Sequence, residues 1–303
     1  MTTGARLFLV DGSSNLYRAF HALPPLSNAQ GLPTHATLGF TSMLFKLLRE
    51  DAPEALAVAF DGPGPTVRHQ IFTAYKANRP PMPDGLAQQI PSVHRVLQAM
   101  RVPVLMVAGE EADDILASAA VRAAAEGYRV VLISGDKDLL QVVDDRIVVR
   151  DTMKGKTWGE IEVEQRYGVA PRQFPELLAL MGDSIDNIPG IPGVGDKTAR
   201  DLLRRFGDLE GVLERAGEIA SPKLREAVRT HAEQVRLSQR LATIRTDLPL
   251  TWQPADFHRA APDVPSLLAL FRELGFTRLA EQLSQPAFFA EDPGKNAGTT
   301  KSQ

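Results

Sequence analysis

Apolar residues in the first half of the chain fall into two alternating patterns. Short, almost uninterrupted apolar runs are typical of parallel strands that are covered on both faces. They predict five strands, at residues 7–10, 56–60, 104–107, 130–133 and 147–149. Longer stretches with a helical apolar period predict helices at residues 35–49, 86–100 and 113–126. The alternation favours an α/β fold over an α+β arrangement of similar content, with a parallel sheet and helices on both of its faces.

Strand patterns stop near residue 170, and helical patterns follow. Helices are predicted at residues 171–181 and 197–206, with a segment rich in glycine and proline between them at 188–195. The end of the chain is polar and lacks an apolar period, which is typical of disorder. We therefore expect an α/β domain, a helical domain and a disordered tail, at residues 1–170, 171–285 and 286–303.

Composition narrows the class of protein. The 303 residues are 44% hydrophobic and 23% charged, which excludes wholesale disorder and collagen-like repeats. There is no cysteine, so disulfides, thiolate zinc sites and cysteine nucleophiles are excluded, which fits a reducing compartment. The apolar run near the N-terminus has only four residues, and neither a signal peptide nor a membrane span is predicted. A net charge of −3 says little about partners, because charges can be sorted in space.

Acidic residues follow four successive predicted strands, near the point where each strand ends. They are Asp11, Asp61, the group Glu110, Glu111, Asp113 and Asp114, and the pair Asp136 and Asp138. The carboxyl ends of parallel strands lie on one edge of an open sheet, where ligands bind. A further pair, Asp183 and Asp186, opens the helical domain and is placed to close the same site from the other side. The sequence thus predicts a cluster of carboxylates at one edge of the sheet.

Each acid also has a purely structural explanation. Asp11-Gly12 and Asp61-Gly62 are turn dipeptides, and an acid in the first turn of a helix stabilises that helix. A cluster is different, because neighbouring carboxylates repel one another and cannot all ionise without a cation among them. Oxygen ligands without His or Cys select a hard ion such as Mg²⁺ or Mn²⁺. So many carboxylates indicate two metal ions, the arrangement that activates water and stabilises the leaving oxygen in phosphodiester cleavage.

Other chemistries find less support in the sequence. The segment DGSSN, which begins at Asp11, contains neither GxxxxGK[ST] nor GxGxxG, so a nucleotide-binding loop is not predicted. An aspartate in this position could also be the nucleophile of a phosphatase. That alternative accounts neither for Asp183 and Asp186 nor for the glycine-rich segment of the helical domain.

The segment GIPGVGDKTA, residues 190–199, has the form of a helix-hairpin-helix element. Its glycines permit a tight turn and close backbone approach, and the following helix directs its N-terminal amides at an anion. Such contacts bind the sugar-phosphate backbone without reading the base sequence. An ordinary αα-hairpin is the alternative, but this pattern is more specific and indicates DNA binding. The predicted contact residues are Gly190, Gly193, Gly195, Lys197, Thr198 and Arg200.

A second basic segment lies between the second strand and the following helix, at residues 64–83. It is long for a plain connection, and such loops are often functional. Its basic and aromatic residues suit a clamp that pairs with phosphates and stacks on bases of a single strand, with an exposed basic loop as the alternative. These residues are Arg68, Tyr75, Lys76 and Arg79. Arg18 is interpreted either as a phosphate ligand or as a partner of the neighbouring acids.

Five stretches of the chain resemble the 5′-nuclease (flap endonuclease) family, and in particular the 5′→3′ exonuclease domain of bacterial DNA polymerase I. They are LFLVDGSSNLYRAFHAL, AVAFDGPGPTVRHQIFTAYKANRPPMP, GEEADDILAS, VLISGDKDLLQVV and MGDSIDNIPGIPGVGDKTARDLL. Together they extend over roughly residues 5–285. The resemblance implies a metal-dependent nuclease with a PIN-like parallel sheet, followed by a helical helix-hairpin-helix (H3TH) DNA-binding domain.

The resemblance also implies a set of metal ligands. They map onto Asp11, Asp61, Glu111, Asp113 and Asp114 for one ion, and onto Asp136, Asp138, Asp183 and Asp186 for a second. None of these acids is missing, which argues against a degenerate, inactive member. Mg²⁺ is the expected ion at both positions, and Mn²⁺ is expected to substitute for it. The family's hairpin domain can hold K⁺ through backbone carbonyls, here near residues 188–195.

The family's helical arch or clamp corresponds to residues 68–83. Within it, Lys76 and Arg79 are expected to face the scissile phosphate. Together with Arg18 they are expected to offset the charge of the transition state.

The expected activity is that of a structure-specific 5′→3′ exonuclease and flap endonuclease acting in DNA replication and repair. Expected substrates are 5′ flaps, nicked or gapped duplexes and RNA primers, with a monomeric protein in the bacterial cytoplasm, near the nucleoid and without a membrane partner. A polymerase I chain would continue for hundreds of residues, whereas this chain ends in a short polar tail, which favours a stand-alone paralogue over an excised fragment. Two alternatives stay open: a catalytically silent DNA-junction binding module with the same hairpin, and a PIN-type ribonuclease, which needs no hairpin.

Overall fold

The chain divides into two units that alternate along the sequence. A computed structural model describes residues 4–285, so the predicted tail at 286–303 lies outside the described residues. The first unit consists of residues 4–15, 55–82 and 103–258, and the second of residues 16–54, 83–102 and 259–285. The single boundary near residue 170 falls inside the first unit, and it stays a prediction.

Six strands form the sheet of the first unit. They are β1 (Arg6–Asp11), β2 (Ala55–Ala59), β3 (Val104–Leu105), β4 (Arg129–Ile133), β5 (Ile147–Asp151) and β6 (Lys156–Trp158). Their order is β3-β2-β1-β4-β5-β6, and every neighbouring pair is parallel except β5 and β6. The five predicted strands and the α/β class are therefore confirmed. The antiparallel β6 makes the sheet mixed, and the sequence does not predict it because its three residues contain no apolar run.

The central strands end at the same level. Val10 of β1 pairs with Val58 of β2 on one side and with Ile133 of β4 on the other. All three side chains are fully buried, as expected for strands covered on both faces. From β1 the chain continues to β2 and β3 on one side, whereas from β4 it continues to β5 and β6 on the other side. At such a point of reversal, here between β1 and β4, an open α/β sheet forms a crevice for ligands.

Helix α6 (Ala112–Ala125) packs against β1 and β4. Ala117 and Ala120 on its buried face are fully enclosed, and such small side chains let the helix lie close to the sheet. The other helices of the first unit are α3 (Val67–Ile71), α7 (Glu160–Tyr167), α8 (Phe174–Met181), α9 (Asp196–Phe206), α10 (Leu209–Glu214), α11 (Pro222–Thr230) and α12 (Ala232–Ala242). Helix α8 packs against α12 and α9, so the predicted helical part of the chain is confirmed.

Helix α1 (Gly12–Ala22) begins in the first unit and ends in the second. The second unit also contains α2 (His35–Asp51), α4 (Asp84–Ala87), α5 (Ile90–Ala99), α13 (Val264–Leu274) and α14 (Thr277–Leu283). The helix predicted over residues 86–100 is split, since α5 begins anew beside Pro91, whose missing N–H costs nothing in a first helical turn. Gln89 lies between the two pieces, and its buried Oε1 accepts the N–H groups of Ala36 and Thr37 at 2.8 and 3.1 Å.

No helix within residues 4–285 is long and apolar enough to cross a membrane.

Candidate metal centre and nucleic-acid interface

The loops after β2 and β3 run together and bring Asp61 to the start of α6. A Cβ atom on Gly62 would lie 1.7 Å from the carbonyl oxygen of Val107, so only glycine fits where the two backbones meet. The N–H of Gly62 donates to the carbonyl of Glu110 at 2.9 Å. As a result, Oδ1 of the exposed Asp61 accepts the N–H of Ala112, the first residue of α6, at 2.9 Å.

Three acids at the start of α6 form the tightest group of the site. One oxygen from each of Glu111, Asp113 and Asp114 lies within 4.8 Å of the others. Burial, followed by the charges of Asp114 and Glu111, raises the pKa of Asp113 well above its usual value. A divalent cation placed among these oxygens would remove the repulsion, so the group fits a hard metal ion.

Asp11 is the last residue of β1, and its carboxylate is held from two sides. Its Oδ1 accepts the N–H of Ser14 at 2.9 Å, and its Oδ2 accepts the hydroxyl of Ser134 at 2.7 Å. Burial, with a smaller contribution from the charges of Asp136 and Asp61, raises the pKa of Asp11 to about 7. This carboxylate therefore stands close to acids from two other strands, as the sequence predicts.

The two acids after β4 are linked to one another. Oδ1 of Asp136 accepts the N–H of Asp138 at 2.9 Å. Burial raises the pKa of both carboxyl groups, and the charge of Asp136 raises that of Asp138 further. Oδ1 of Asp138 is buried and accepts no hydrogen bond from any residue between 4 and 285. A buried, unpartnered carboxylate oxygen beside a second acid fits a cation ligand.

Asp183 and Asp186 lie in the loop between α8 and α9, and each pairs with a basic residue. Lys137, between the two acids that follow β4, lies 2.7 Å from Oδ2 of Asp183. Arg79 lies 2.6 Å from Oδ1 of Asp186. These pairs join the loop of the helical part to the edge of the sheet, so the predicted approach of Asp183 and Asp186 to that edge agrees with the geometry.

Arg68 makes a buried, two-pronged ion pair with Asp114. Its Nη1 and Nη2 lie 2.6 and 2.8 Å from the two oxygens of Asp114. Its Nε and Nη2 donate further to the carbonyls of Leu241 and Thr243, at 2.9 and 2.8 Å. The N–H of Arg245 also donates to Oδ1 of Asp114, at 2.8 Å. Both oxygens of Asp114 thus accept hydrogen bonds from the protein, and Asp114 holds Arg68 in place; its role as a direct metal ligand stays a prediction.

The predicted DNA contacts of Arg68 and Tyr75 do not fit the structure. The two residues are only 7% and 2% exposed. The hydroxyl of Tyr75 lies 3.1 Å from a carboxylate oxygen of Glu111 and 3.1 Å from one of Asp186, so its ring is turned inward and cannot stack on a base. The segment packs onto the acidic edge because buried carboxylates attract its basic and hydroxyl groups.

Lys76 and Arg79 lie at the acidic edge, and their contact with the scissile phosphate stays a prediction. Lys76 Nζ is 2.7 Å from Oε2 of Glu111, and its side chain is 17% exposed, whereas that of Arg79 is 45% exposed. The N–H of Lys76 donates to the carbonyl of Asp186 at 2.9 Å. Arg18 belongs to the second unit, and its role stays a prediction.

The predicted hairpin is the turn that precedes α9. A Cβ atom on Gly190 would lie 2.4 Å from the backbone carbon of Met181, and Gly193 has φ +83°, so both positions require glycine. Gly195 is exposed and has open space above its Cα atom. The hairpin therefore presents bare backbone at the N-terminus of an eleven-residue helix, as anion binding requires.

The hairpin side chains that are predicted to contact DNA differ in exposure and in their partners. Lys197 is exposed and Thr198 is half-buried. Arg200 forms an ion pair with Asp196 in the same helix. Of the predicted side-chain contacts, Lys197 is the one most open to a phosphate.

The carbonyls expected to hold K⁺ have protein partners at two positions. The carbonyl of Pro189 accepts the hydroxyl of Ser238 at 2.6 Å, and that of Gly190 accepts Nε2 of Gln234 at 3.0 Å. The potassium site stays a prediction.

Sequence reasoning missed the neutral residues that hold the acids. Ser134 and Thr66 are buried hydroxyl residues whose oxygens lie 2.7 Å from Oδ2 of Asp11 and 3.5 Å from Oε1 of Glu111. Ser134 lies two residues before Asp136, and that proximity to an acid is its only signal in the sequence.

Two family models match the chain. "5′-3′ exonuclease, N-terminal resolvase-like domain" matches residues 6–168, and "5′-3′ exonuclease, C-terminal SAM fold" matches residues 169–265. Among curated relatives, DNA polymerase I of Bacillus caldotenax is 44% identical over 95% of this chain and 33% of its own length. The 5′-3′ exonuclease of Aquifex aeolicus is 38% identical over 92% of this chain and 95% of its own. The chain spans about a third of the length of the DNA polymerase I relatives that it matches.

Solved structures show the same fold at low identity. The T5 5′-exonuclease with bound zinc has a TM-score of 0.67 at 20% identity, over 92% of this chain and all of that chain. The catalytic core of Rad2 in complex with DNA has a TM-score of 0.62 at 16% identity, over 90% of this chain and 89% of that chain. These likenesses confirm the predicted α/β domain and the helical part that follows it. Since the family models and a relative of nearly equal length both match, the chain belongs to the 5′-3′ exonuclease family, as the resemblance implies.

Proposed function

We propose that this chain hydrolyses phosphodiester bonds in DNA as a structure-specific 5′→3′ exonuclease and flap endonuclease. The observation that carries the proposal is the meeting of carboxylates from the ends of β1, β2 and β4, from the start of α6 and from the α8–α9 loop. Several of these carboxyl groups are buried and have raised pKa values, which is the condition that divalent cations relieve.

Two groups of residues would hold the metal ions. The first consists of Asp11, Asp61, Glu111 and Asp113, and the second of Asp136, Asp138, Asp183 and Asp186. Two such ions, Mg²⁺ in the cell with Mn²⁺ as a substitute, would supply an activated water and would stabilise the leaving oxygen. Asp114 holds Arg68, and Lys76 and Arg79, which pair with Glu111 and Asp186, would offset the charge of the scissile phosphate.

The hairpin before α9 would hold the duplex next to the acids. Gly193, Gly195, Lys197 and Thr198 offer backbone and side-chain donors to consecutive phosphates without reading bases. We propose substrates of DNA replication and repair, namely 5′ flaps, nicked or gapped duplexes and RNA primers, in keeping with relatives named DNA polymerase I and 5′-3′ exonuclease. We propose that the protein acts as a monomer in the bacterial cytoplasm, at the nucleoid.

The test is cleavage of a 5′-labelled flap duplex by the wild type and by Asp113→Asn. We expect cleavage with Mg²⁺, none with EDTA, and a loss of orders of magnitude in turnover for Asp113→Asn with DNA affinity retained. Asp145→Asn, an exposed acid between β4 and β5, is the matched control and should cleave at the wild-type rate.

The same assay separates the alternatives. A silent junction-binding module would bind the flap duplex and leave it intact with Mg²⁺. A PIN-type ribonuclease would cleave single-stranded RNA in preference to the flap duplex. Cleavage by Asp113→Asn at the wild-type rate would contradict the metal mechanism itself.

A further inference from the structure

One buried hydroxyl joins the acid of β1 to the acids that follow β4. Ser134 is 1% exposed and lies directly after β4. Its Oγ donates to Oδ2 of Asp11 at 2.7 Å and accepts the N–H of Asp136 at 3.0 Å. Both functions of the hydroxyl, donor and acceptor, are therefore used, and both partners belong to the acidic edge.

On the β1 side, the contact fixes the plane of a carboxylate. Oδ1 of Asp11 already accepts the N–H of Ser14 at 2.9 Å, so the Ser134 bond to Oδ2 stops rotation about the bond that carries the carboxylate. Each carboxylate oxygen has two lone pairs, and a single hydrogen bond leaves one of them for a cation. The two hydrogen bonds thus orient the carboxylate and leave a lone pair on each oxygen for a cation.

On the β4 side, the same oxygen fixes the backbone that leads into the second acidic pair. Because the N–H of Asp136 donates to Ser134, the backbone at Asp136 is held in place relative to Asp11. Oδ1 of Asp136 then accepts the N–H of Asp138 at 2.9 Å. One continuous hydrogen-bonded chain runs from Asp11 through Ser134 and Asp136 to Asp138.

We propose that Ser134 is a positioning residue that sets the spacing between the two groups of metal-binding carboxylates. The inference rests on the proposed function, and it adds that two cations are bound as a pair at a distance fixed by this hydroxyl rather than at two independent positions. Asp11 belongs to one group and Asp136 to the other, and within residues 4–285 Ser134 is the side chain found bonded to both. Outer residues of this kind typically change metal affinity by about 10- to 100-fold.

The chain contains a matched control at the same strand ends. Asn15 is 6% exposed, and its Nδ2 donates to the backbone carbonyls of Asp11 and Ile133 at 2.8 and 3.0 Å. It therefore joins β1 and β4 as Ser134 does, but it bonds to main-chain oxygens and to neither carboxylate. Asn15→Ala should cost stability, whereas Ser134→Ala should cost both stability and metal affinity.

The experiment compares the wild type with Ser134→Ala, Ser134→Thr and Asn15→Ala in the absence of DNA. Mn²⁺ binding is measured by calorimetry, and the spin coupling of paired Mn²⁺ ions is measured by electron paramagnetic resonance. We expect Ser134→Ala to lose about 10- to 100-fold in Mn²⁺ affinity and to lose the spin-coupled signal. Ser134→Thr, which retains the hydroxyl, should restore both, and Asn15→Ala should retain both. With DNA and saturating Mg²⁺, Ser134→Ala should lower kcat and leave KM for the flap duplex unchanged.

The outcomes separate this inference from the proposed function. If the wild type binds no divalent cation, the proposed function fails. If the wild type shows coupled Mn²⁺ and Ser134→Ala binds it with equal affinity and coupling, the positioning role fails and the proposed function stands. An equal loss of affinity in Asn15→Ala would also overturn it, by reducing the effect to strand stability. If circular dichroism shows that Ser134→Ala folds poorly, Ser134→Cys is tested in its place, because its side chain has a similar volume and is a weaker hydrogen-bond donor. Wild-type Mn²⁺ affinity and spin coupling in Ser134→Cys would overturn the proposal.

Discussion

Lys76 Nζ stands between two acids of the site, 2.7 Å from Oε2 of Glu111 and 3.8 Å from Oδ2 of Asp186. Burial by itself lowers the pKa of Lys76, but the charges of Glu111, Asp113 and Asp186 outweigh it and raise that pKa above its usual value. The ammonium group is therefore charged at neutral pH, and it neutralises part of the charge that divalent cations would neutralise when bound.

Replacement of this ammonium group should affect turnover and metal binding in opposite directions. In Lys76→Met we expect turnover on a flap duplex to fall by about 10²–10³-fold, because a cation beside the scissile phosphate is lost. Mn²⁺ affinity without DNA should rise or stay unchanged, because a competing positive charge is removed. Single-turnover cleavage and calorimetry measure the two effects. Weaker Mn²⁺ binding would show instead that Lys76 organises the ligands. Lys154→Met is the control, because the side chain of Lys154 is 77% exposed.

The Arg68–Asp114 pair should be a determinant of stability rather than of DNA affinity. Arg68→Met leaves a buried carboxylate without its partner, which should lower the free energy of unfolding by about 3–5 kcal/mol. The double variant Arg68→Met/Asp114→Leu should recover most of that loss, because no unpaired charge remains. Urea unfolding in EDTA measures both variants. A stable Arg68→Met protein with weakened DNA binding would restore the DNA contact that the sequence predicts.

The exposed lysine of the hairpin should contribute to DNA affinity alone. Lys197→Ala should weaken binding to a flap duplex and reduce the slope of log affinity against log salt by about 0.9, the value for one lost phosphate contact. The rate at saturating DNA should not change, because Lys197 lies outside the acidic site. Fluorescence anisotropy at several salt concentrations measures the slope. Lys154→Ala should leave the slope at its wild-type value, and an unchanged slope in Lys197→Ala would contradict the hairpin contact.

Stability should depend on pH through Glu176, which lies in α8, the helix that precedes the loop with Asp183 and Asp186. Burial, followed by the charge of Asp208, raises the pKa of Glu176 to about 7, and its buried Oε2 accepts no hydrogen bond in the described part of the chain. A carboxyl group whose pKa is higher in the folded state binds more protons when folded. The stability that the protonated group provides at low pH is therefore lost as pH rises from about 4.5 to about 7, and the ionised group destabilises the fold above that range. Glu176→Gln should therefore raise Tm at pH 8 by about 1–3 °C and leave it unchanged at pH 4.5. A Tm rise that is equal at the two pH values would contradict this origin.

The position of the acids can be predicted from the sequence because it depends only on residues that are close to them in the chain. Buried parallel strands are recognisable as apolar runs, and the residue after each run lies at the carboxyl edge, so Asp11 and Asp136 could be placed without the structure. The partners of those acids are not local. Arg68 bonds to the carbonyls of Leu241 and Thr243, more than 170 positions away, and no pattern around residue 68 reveals whether it faces inward.

Polar residues that support the site are hidden for the same reason. Ser134 and Tyr75 have no distinctive spacing, and their contacts depend on which loops meet at the sheet edge. The acids are gathered there as predicted, but Asp114, Asp183 and Asp186 each carry a close basic partner. Under the proposed function, Asp138 is a candidate for a ligand because its buried Oδ1 accepts no hydrogen bond within residues 4–285, and Asp11 is another because the side chain that holds it is the neutral Ser134.

The loop between α8 and α9 carries both the last two acids and the hairpin glycines. Asp183 and Ile188 exchange two backbone hydrogen bonds of 2.8 Å, and Gly190 packs so closely on Gly182 that no side chain fits between them. These contacts close the loop on itself and restrict changes in its length. Under the proposed function, this hydrogen-bonded loop fixes the distance between the bound duplex and the cut. The number of nucleotides between them should therefore be constant, and product length should be uniform whatever the base composition.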